Sequence, residues 1–140
     1  MHHVGMTVTD LAAAVAYFEA LGMELEGKAH MEGEFVDGVI GLEGSRSEIA
    51  MLHTPDGRYR IEFSEFAAPD AIDGSASAPI NALGLRHIAF VVDDLDDTLA
   101  RLQPHGAELV GNVERYQDVL RTCYVRGPEG IIVELSEYLR

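Results

Sequence analysis

Two histidines and two glutamates stand at matched places in this 140-residue chain: His3 with Glu62, and His87 with Glu134. Imidazole nitrogen and carboxylate oxygen together suit borderline to hard divalent ions, with Zn, Ni, Co, Mn and Fe all open. Two carboxylates turned inward without a partner would be costly, and one divalent cation removes that cost. Four protein donors leave one or two positions for water or substrate on a five- or six-coordinate ion. A lone strand histidine or glutamate is more often a core or surface residue. The metal reading of His3, Glu62, His87 and Glu134 therefore rests on the same pair occurring twice.

The elements that carry these residues are themselves duplicated. The segment HVGMTVTDL from position 3 returns as HIAFVVDDL from position 87, an offset of 84 that also matches Gly22 with Gly106 and Leu25 with Leu109. Leu11, Val15, Phe18 and Leu21 form a helical apolar stripe, repeated by Leu95, Leu99 and Leu102. Asp94 suits an N-cap, and Gly22 and Gly106 stand where the helices should stop. Each half closes on a Pro-acid-Gly turn and a strand, PDGRYRIEFSEF and PEGIIVELSEY, where the offset falls to 72 (62 to 134). Two further strands per half are expected at 34–42 and 48–53, then at 108–113 and 120–126. The expected fold is α+β: two tandem βαβββ modules, 1–66 and 84–140, whose curved sheets together form an open eight-stranded cavity. The linker 67–83, rich in Ala, Pro, Ser, Gly and Asp, completes one domain over 1–140.

Strand alternation decides which side chains meet. Val4, Met6 and Val8 pack under the first helix, so His3, Gly5 and Thr7 take the opposite face. Ile88, Phe90 and Val92 pack likewise, leaving His87, Ala89 and Val91 on the other side. Glu62 and Glu134 fall mid-strand on the faces turned away from their helices. His2, an exposed terminal residue, and His30, His53 and His105, which lack a repeat partner, are not expected to act.

A net charge of −14, from 24 acidic and 10 basic residues, disfavours nucleic acid and anionic lipid as partners. An anionic substrate would need local cations, with Arg60, Arg86, Arg115, Arg121 and Arg126 available. No apolar run reaches the roughly 20 residues of a membrane helix. One cysteine, Cys123, and no export signal point to a reducing cytoplasm.

The paired H-[VI]-x-[MF]-x-V-x-D-L openings and the I-E-F-S-E and V-E-L-S-E strands resemble the vicinal oxygen chelate superfamily over essentially the whole chain. That group includes glyoxalase I, methylmalonyl-CoA epimerase, extradiol dioxygenases, and fosfomycin and bleomycin resistance proteins. The resemblance implies metal ligands on the first and fourth strands of each module, which are again His3, Glu62, His87 and Glu134. It implies a lyase or isomerase that transfers a proton beside a metal-bound carbonyl of a small 2-oxo compound or acyl thioester. Methylmalonyl-CoA epimerase is the nearest likeness, although many epimerases carry Gln where this chain has Glu62. Glu134 or Glu62 would move the proton; Glu48, in SRSEIAML, is a further candidate set against a solvated strand-end role. A homodimer is also implied. The alternatives are a glyoxalase I-like lactoylglutathione lyase, then an extradiol-type dioxygenase, which Glu62 would crowd. Last comes a metal-free antibiotic binder, disfavoured by 7% aromatic content and no Trp.

Overall fold

Asp10 opens the first helix by accepting from the Ala13 amide at 2.9 Å, and Asp94 opens its counterpart by accepting from Asp97 at 2.8 Å. Both side chains satisfy amides that a helix N-terminus leaves unpaired. The helices are α1, Leu11–Leu21, and α3, Leu95–Leu102. Gly22 ends α1 at φ 121°, and Gly106 ends the short 3₁₀ turn after α3 at φ 86°, conformations that favour glycine. In this computed structural model, which describes residues 1–74 and 76–140, the linker 67–83 includes the undescribed Ser75.

The chain divides into two compact units, Met1–Asp73 and Gly74–Arg140. In the first, strands β1 (Val4–Thr7), β2 (Glu24–Glu32), β3 (Arg46–His53) and β4 (Arg60–Ala68) form a curved, unclosed sheet in the order β1-β4-β3-β2. β1 runs parallel to β4; the other neighbours are antiparallel. α1 packs on β3 and β4, burying Val15, Phe18 and Leu21 with Ala50, Leu52, Ile61 and Phe63. In the second, β5 (His87–Val91) runs parallel to β9 (Ile132–Tyr138), followed by β8 (Leu120–Arg126) and β6 (Glu108–Leu109). Here α3 packs on β9, and Leu95, Leu102, Val133 and Leu135 are fully buried. The fold is mixed α+β, as expected.

Three details differ from the pattern read in the sequence. Residues 34–42 do not form a strand: Glu34–Ile40 is a helix, α2, between Gly33 and the left-handed Gly41. Glu34 and Asp37 in its first turn suit the helix dipole, and Asp37 also accepts from the Gly44 and Ser45 amides. The second strand is instead Glu24–Glu32. Within 108–113 the strand is confined to Glu108–Leu109 (β6), and a separate short strand β7, Glu114–Tyr116, adds to β8. The described strands therefore number nine, four in one sheet and five in the other, rather than eight.

One repeated contact explains the second glutamate of each S-E motif. Glu65 accepts from the Leu11 amide at 2.7 Å, and Glu137 from the Leu95 amide at 3.0 Å. Each closing strand thus clamps the first turn of its own helix, placing a carboxylate where the dipole favours one.

Candidate metal centre

The ladder of the first sheet fixes the face of each candidate. Glu62 lies opposite Gly5 on one side and Met51 on the other, so these three share a face with His3, two residues before Gly5. The helix-facing positions are Ile61 and Phe63, both buried. Because residue 5 has no side chain, the space beside Glu62 is left to His3. His3 Nε2 lies 3.8 Å from Glu62 Oε2, with both side chains about one-third exposed (35% and 27%). Its other ring nitrogen, Nδ1, is 2.8 Å from His2 Nδ1, so His2 braces the ring with Nε2 toward the carboxylate.

The second sheet repeats the arrangement with different neighbours. Ala89 and Tyr124 flank Glu134, and His87 Nε2 lies 3.2 Å from Glu134 Oε2. The Tyr124 ring stacks at a tilt on His87, with centroids 4.9 Å apart. Burial, then the Glu134 charge and a hydrogen-bonding contact with that carboxylate, push the Tyr124 phenol above its ordinary range. Ser136 Oγ donates to Glu134 Oε1 at 3.3 Å, and Thr122 Oγ1 stands 2.9 Å from Ser136 Oγ. Tyr124, Ser136 and Thr122 were not singled out in the sequence. Only their two-residue spacing from strand positions already assigned to this face could have found them.

Imidazole nitrogen and carboxylate oxygen are donor types that suit a divalent ion. Nitrogen and oxygen bound at about 2.0–2.2 Å in adjacent positions of one ion lie roughly 2.9–3.5 Å apart. The His87–Glu134 separation falls inside that range, and the His3–Glu62 separation lies slightly outside it. Each unit holds one His–Glu pair. Among the described residues, no group of three or more His, Cys, Asp or Glu side chains is placed to hold an ion.

Glu48 is not brought to either pair. It lies opposite Glu65 on the helix side of its sheet and is hydrogen-bonded to His30 Nδ1, while His30 Nε2 lies 3.2 Å from Glu32. With a carboxylate at each ring nitrogen, above all Glu48, His30 is held above its ordinary value of 6.5. We expect NMR titration of His30 to give a midpoint above 6.5, and Glu48→Gln to bring it back down. Because the folded value is the raised one, the stabilisation from this pair is complete below 6.5 and fades as pH rises through the His30 midpoint.

The five arginines also separate. Arg60 pairs with Glu26 at 3.1 Å, Arg115 with Asp118 at 2.6 Å, and Arg121 with Asp96 at 2.8 Å and Glu137 at 3.4 Å. Arg86 and Arg126 bond only to backbone carbonyls among the described residues.

Among the described residues, no helix is long and apolar enough to cross a membrane. Residues 2–124 match the family model described as the Glyoxalase/Bleomycin resistance protein/Dioxygenase superfamily. The uncharacterized protein YaeR of Escherichia coli (strain K12) is 30% identical over 139 residues, spanning 98% of this chain and 95% of YaeR. A glyoxalase family protein from Bacillus cereus, known by its crystal structure, is 46% identical, with a TM-score of 0.96 over 100% of this chain and 94% of its own. The fosfomycin resistance protein FosX from Listeria monocytogenes shares the fold at 17% identity, with a TM-score of 0.61 over 96% of this chain and 86% of its own. That structure is of a mutant complexed with Mn(II) and 1S,2S-dihydroxypropylphosphonic acid.

Proposed function

Since the chain belongs to the Glyoxalase/Bleomycin resistance protein/Dioxygenase superfamily, we propose that it is a divalent-metal-dependent isomerase or lyase, nearest to methylmalonyl-CoA epimerase in its chemistry. The reaction would transfer a proton beside a carbonyl of a 2-oxo compound or acyl thioester. His3, Glu62, His87 and Glu134 would hold one ion, Zn, Ni, Co, Mn or Fe, and a second copy of the chain would be its partner. The observation that carries this reading is the His–Glu pair found in each unit, with Nε2 facing a carboxylate oxygen in both. Support also comes from FosX, a protein of this fold complexed with Mn(II). When bound, such an ion supplies Lewis-acid stabilisation of charge developing on a carbonyl oxygen.

The two carboxylates have different surroundings, and that divides their roles. Glu134 is held by Ser136 and Tyr124 as well as facing His87. Glu62 has, among the described residues, only the longer contact with His3. Glu134 is therefore the fixed donor. Glu62, between Gly5 and Met51, has the freedom a general base needs to swing between donor atoms and a substrate proton. Glu48 has no part in this proposal, because its side chain lies on the opposite face.

The test is solvent exchange. Metal-loaded protein in deuterated buffer is expected to wash deuterium into the α-position of an acyl thioester or hemithioacetal, and Glu62→Gln to slow this at least 10²-fold. Oxygen uptake with a catechol, or no exchange across the panel, would reject the reading.

A further inference from the structure

Arg86 and Arg126 are placed unusually for a chain of net charge −14. Arg126 Nη2 donates to the Ala78 carbonyl at 2.5 Å, and Arg86 Nη2 donates to the same oxygen at 3.0 Å. Two guanidinium groups thus meet at one acceptor, no farther apart than those two bonds laid end to end. Arg126 Nη1 donates to the carbonyls of Ala76 at 2.9 Å and Gly130 at 3.2 Å, which fixes its plane. Carbonyls orient both groups but neutralise neither, and among the described residues no carboxylate pairs with either one. Like charges so close repel unless an anion joins them. Among the described residues, Arg86 Nε is moreover buried with no hydrogen-bond partner, a donor that normally finds an acceptor.

Position ties this pair to the candidate metal centre. Arg126 and His87 both stand opposite Ile132, one on each side of it, on the sheet face that carries Glu134. Arg86 immediately precedes His87 in the chain.

We propose that Arg86 and Arg126 form an anion-binding site for a carboxylate, so that the ligand of the second unit is a carboxylic acid with its acid group beside Ile132. A guanidinium presents paired donors that match the two oxygens of a carboxylate. A singly charged, planar group suits the site better than phosphate, because the chain's negative field repels a dianion more strongly. The anion site itself does not depend on a metal. Its role as a substrate anchor rests on the function proposed above.

The experiment is an NMR titration of metal-free protein, after chelation, with sodium acetate, following arginine Nε–Hε resonances. The Arg86 Nε–Hε signal is expected to shift saturably. Arg86→Gln and Arg126→Gln should each weaken binding by roughly tenfold or more, the scale of a charged hydrogen bond. Arg86→Lys, which keeps the charge but loses the planar fork, should recover it only in part. Circular dichroism melting of each variant separates lost binding from lost folding. Inorganic phosphate should bind more weakly than acetate. No saturable shift, unaltered acetate binding in folded Arg86→Gln, or preference for phosphate would each overturn the proposal. A failure here leaves metal binding untouched, and a failure of metal binding leaves this titration valid.

Discussion

Metal titrated calorimetrically into chelated protein is expected to bind at one ion per chain, and His3→Ala and His87→Ala are each expected to weaken it by more than about a hundredfold. Donor count sets the size of that loss. Each unit offers one nitrogen and one oxygen at 3.8 Å and 3.2 Å, and a pair alone is a poor ligand set for a divalent ion. If the two pairs act on one ion, removing either histidine removes a quarter of the protein donors. If each pair binds independently, the stoichiometry doubles and each variant loses only its own site. Tyr124→Phe gives a graded comparison. It removes a hydroxyl beside Glu134 but no donor, so a loss of roughly 10–100-fold is expected, as for groups that orient metal ligands. Met51→Leu, at the corresponding place beside Glu62, should leave affinity nearly unchanged, because a thioether has no donor to offer the carboxylate. Equal effects at Tyr124 and Met51 would argue against the division between a held Glu134 and a freer Glu62.

How far the sequence disclosed this arrangement depends on the kind of signal each residue leaves. His3, Glu62, His87 and Glu134 were visible because strand alternation is a strict two-residue rule and the duplication applied it twice. The same rule places Glu48 on the far side of β3 once the register with Glu65 is known. Register, however, cannot be read from one strand alone. Residues 34–42 were misassigned because Phe35, Val39 and Ile40 favour strands by type, whereas the flanking glycines and the early Glu34 and Asp37 mark a helix. The second glutamate of each S-E motif looked like part of a chemical signature. Glu65 and Glu137 instead bond the first turn of a helix more than forty residues away in sequence. The junction of Arg86 and Arg126 left no local mark at all, since the oxygen that joins them belongs to Ala78 in a segment read only as linker.

Gly130→Ala is expected to destabilise the protein by about 3 kcal/mol or more, lowering Tm by roughly 10 °C in calorimetry. Two costs act together. The residue sits at φ +73°, a left-handed conformation that costs an alanine about 1–2 kcal/mol. A Cβ there would also lie 1.9 Å from the Ala76 carbonyl oxygen and 2.6 Å from its carbon, backbone atoms that no side-chain rotation can move aside. The segment from Ala76 to Ala78 would have to lift away, taking with it the carbonyls that Arg126 and Arg86 hold. Gly57→Ala isolates the second cost. Gly57 has nearly the same backbone, φ +70°, but nothing among the described residues within 4 Å of an added Cβ, so its loss should stay near 1–2 kcal/mol. The difference between the two variants measures how firmly the linker is seated on the second unit. If it is firm, Gly130→Ala should also weaken acetate binding at the two arginines, while Gly57→Ala leaves it intact. If both glycines respond alike, the backbone of Ala76 does not press on the turn at Gly130, and the carbonyl bridge between the arginines loses its support.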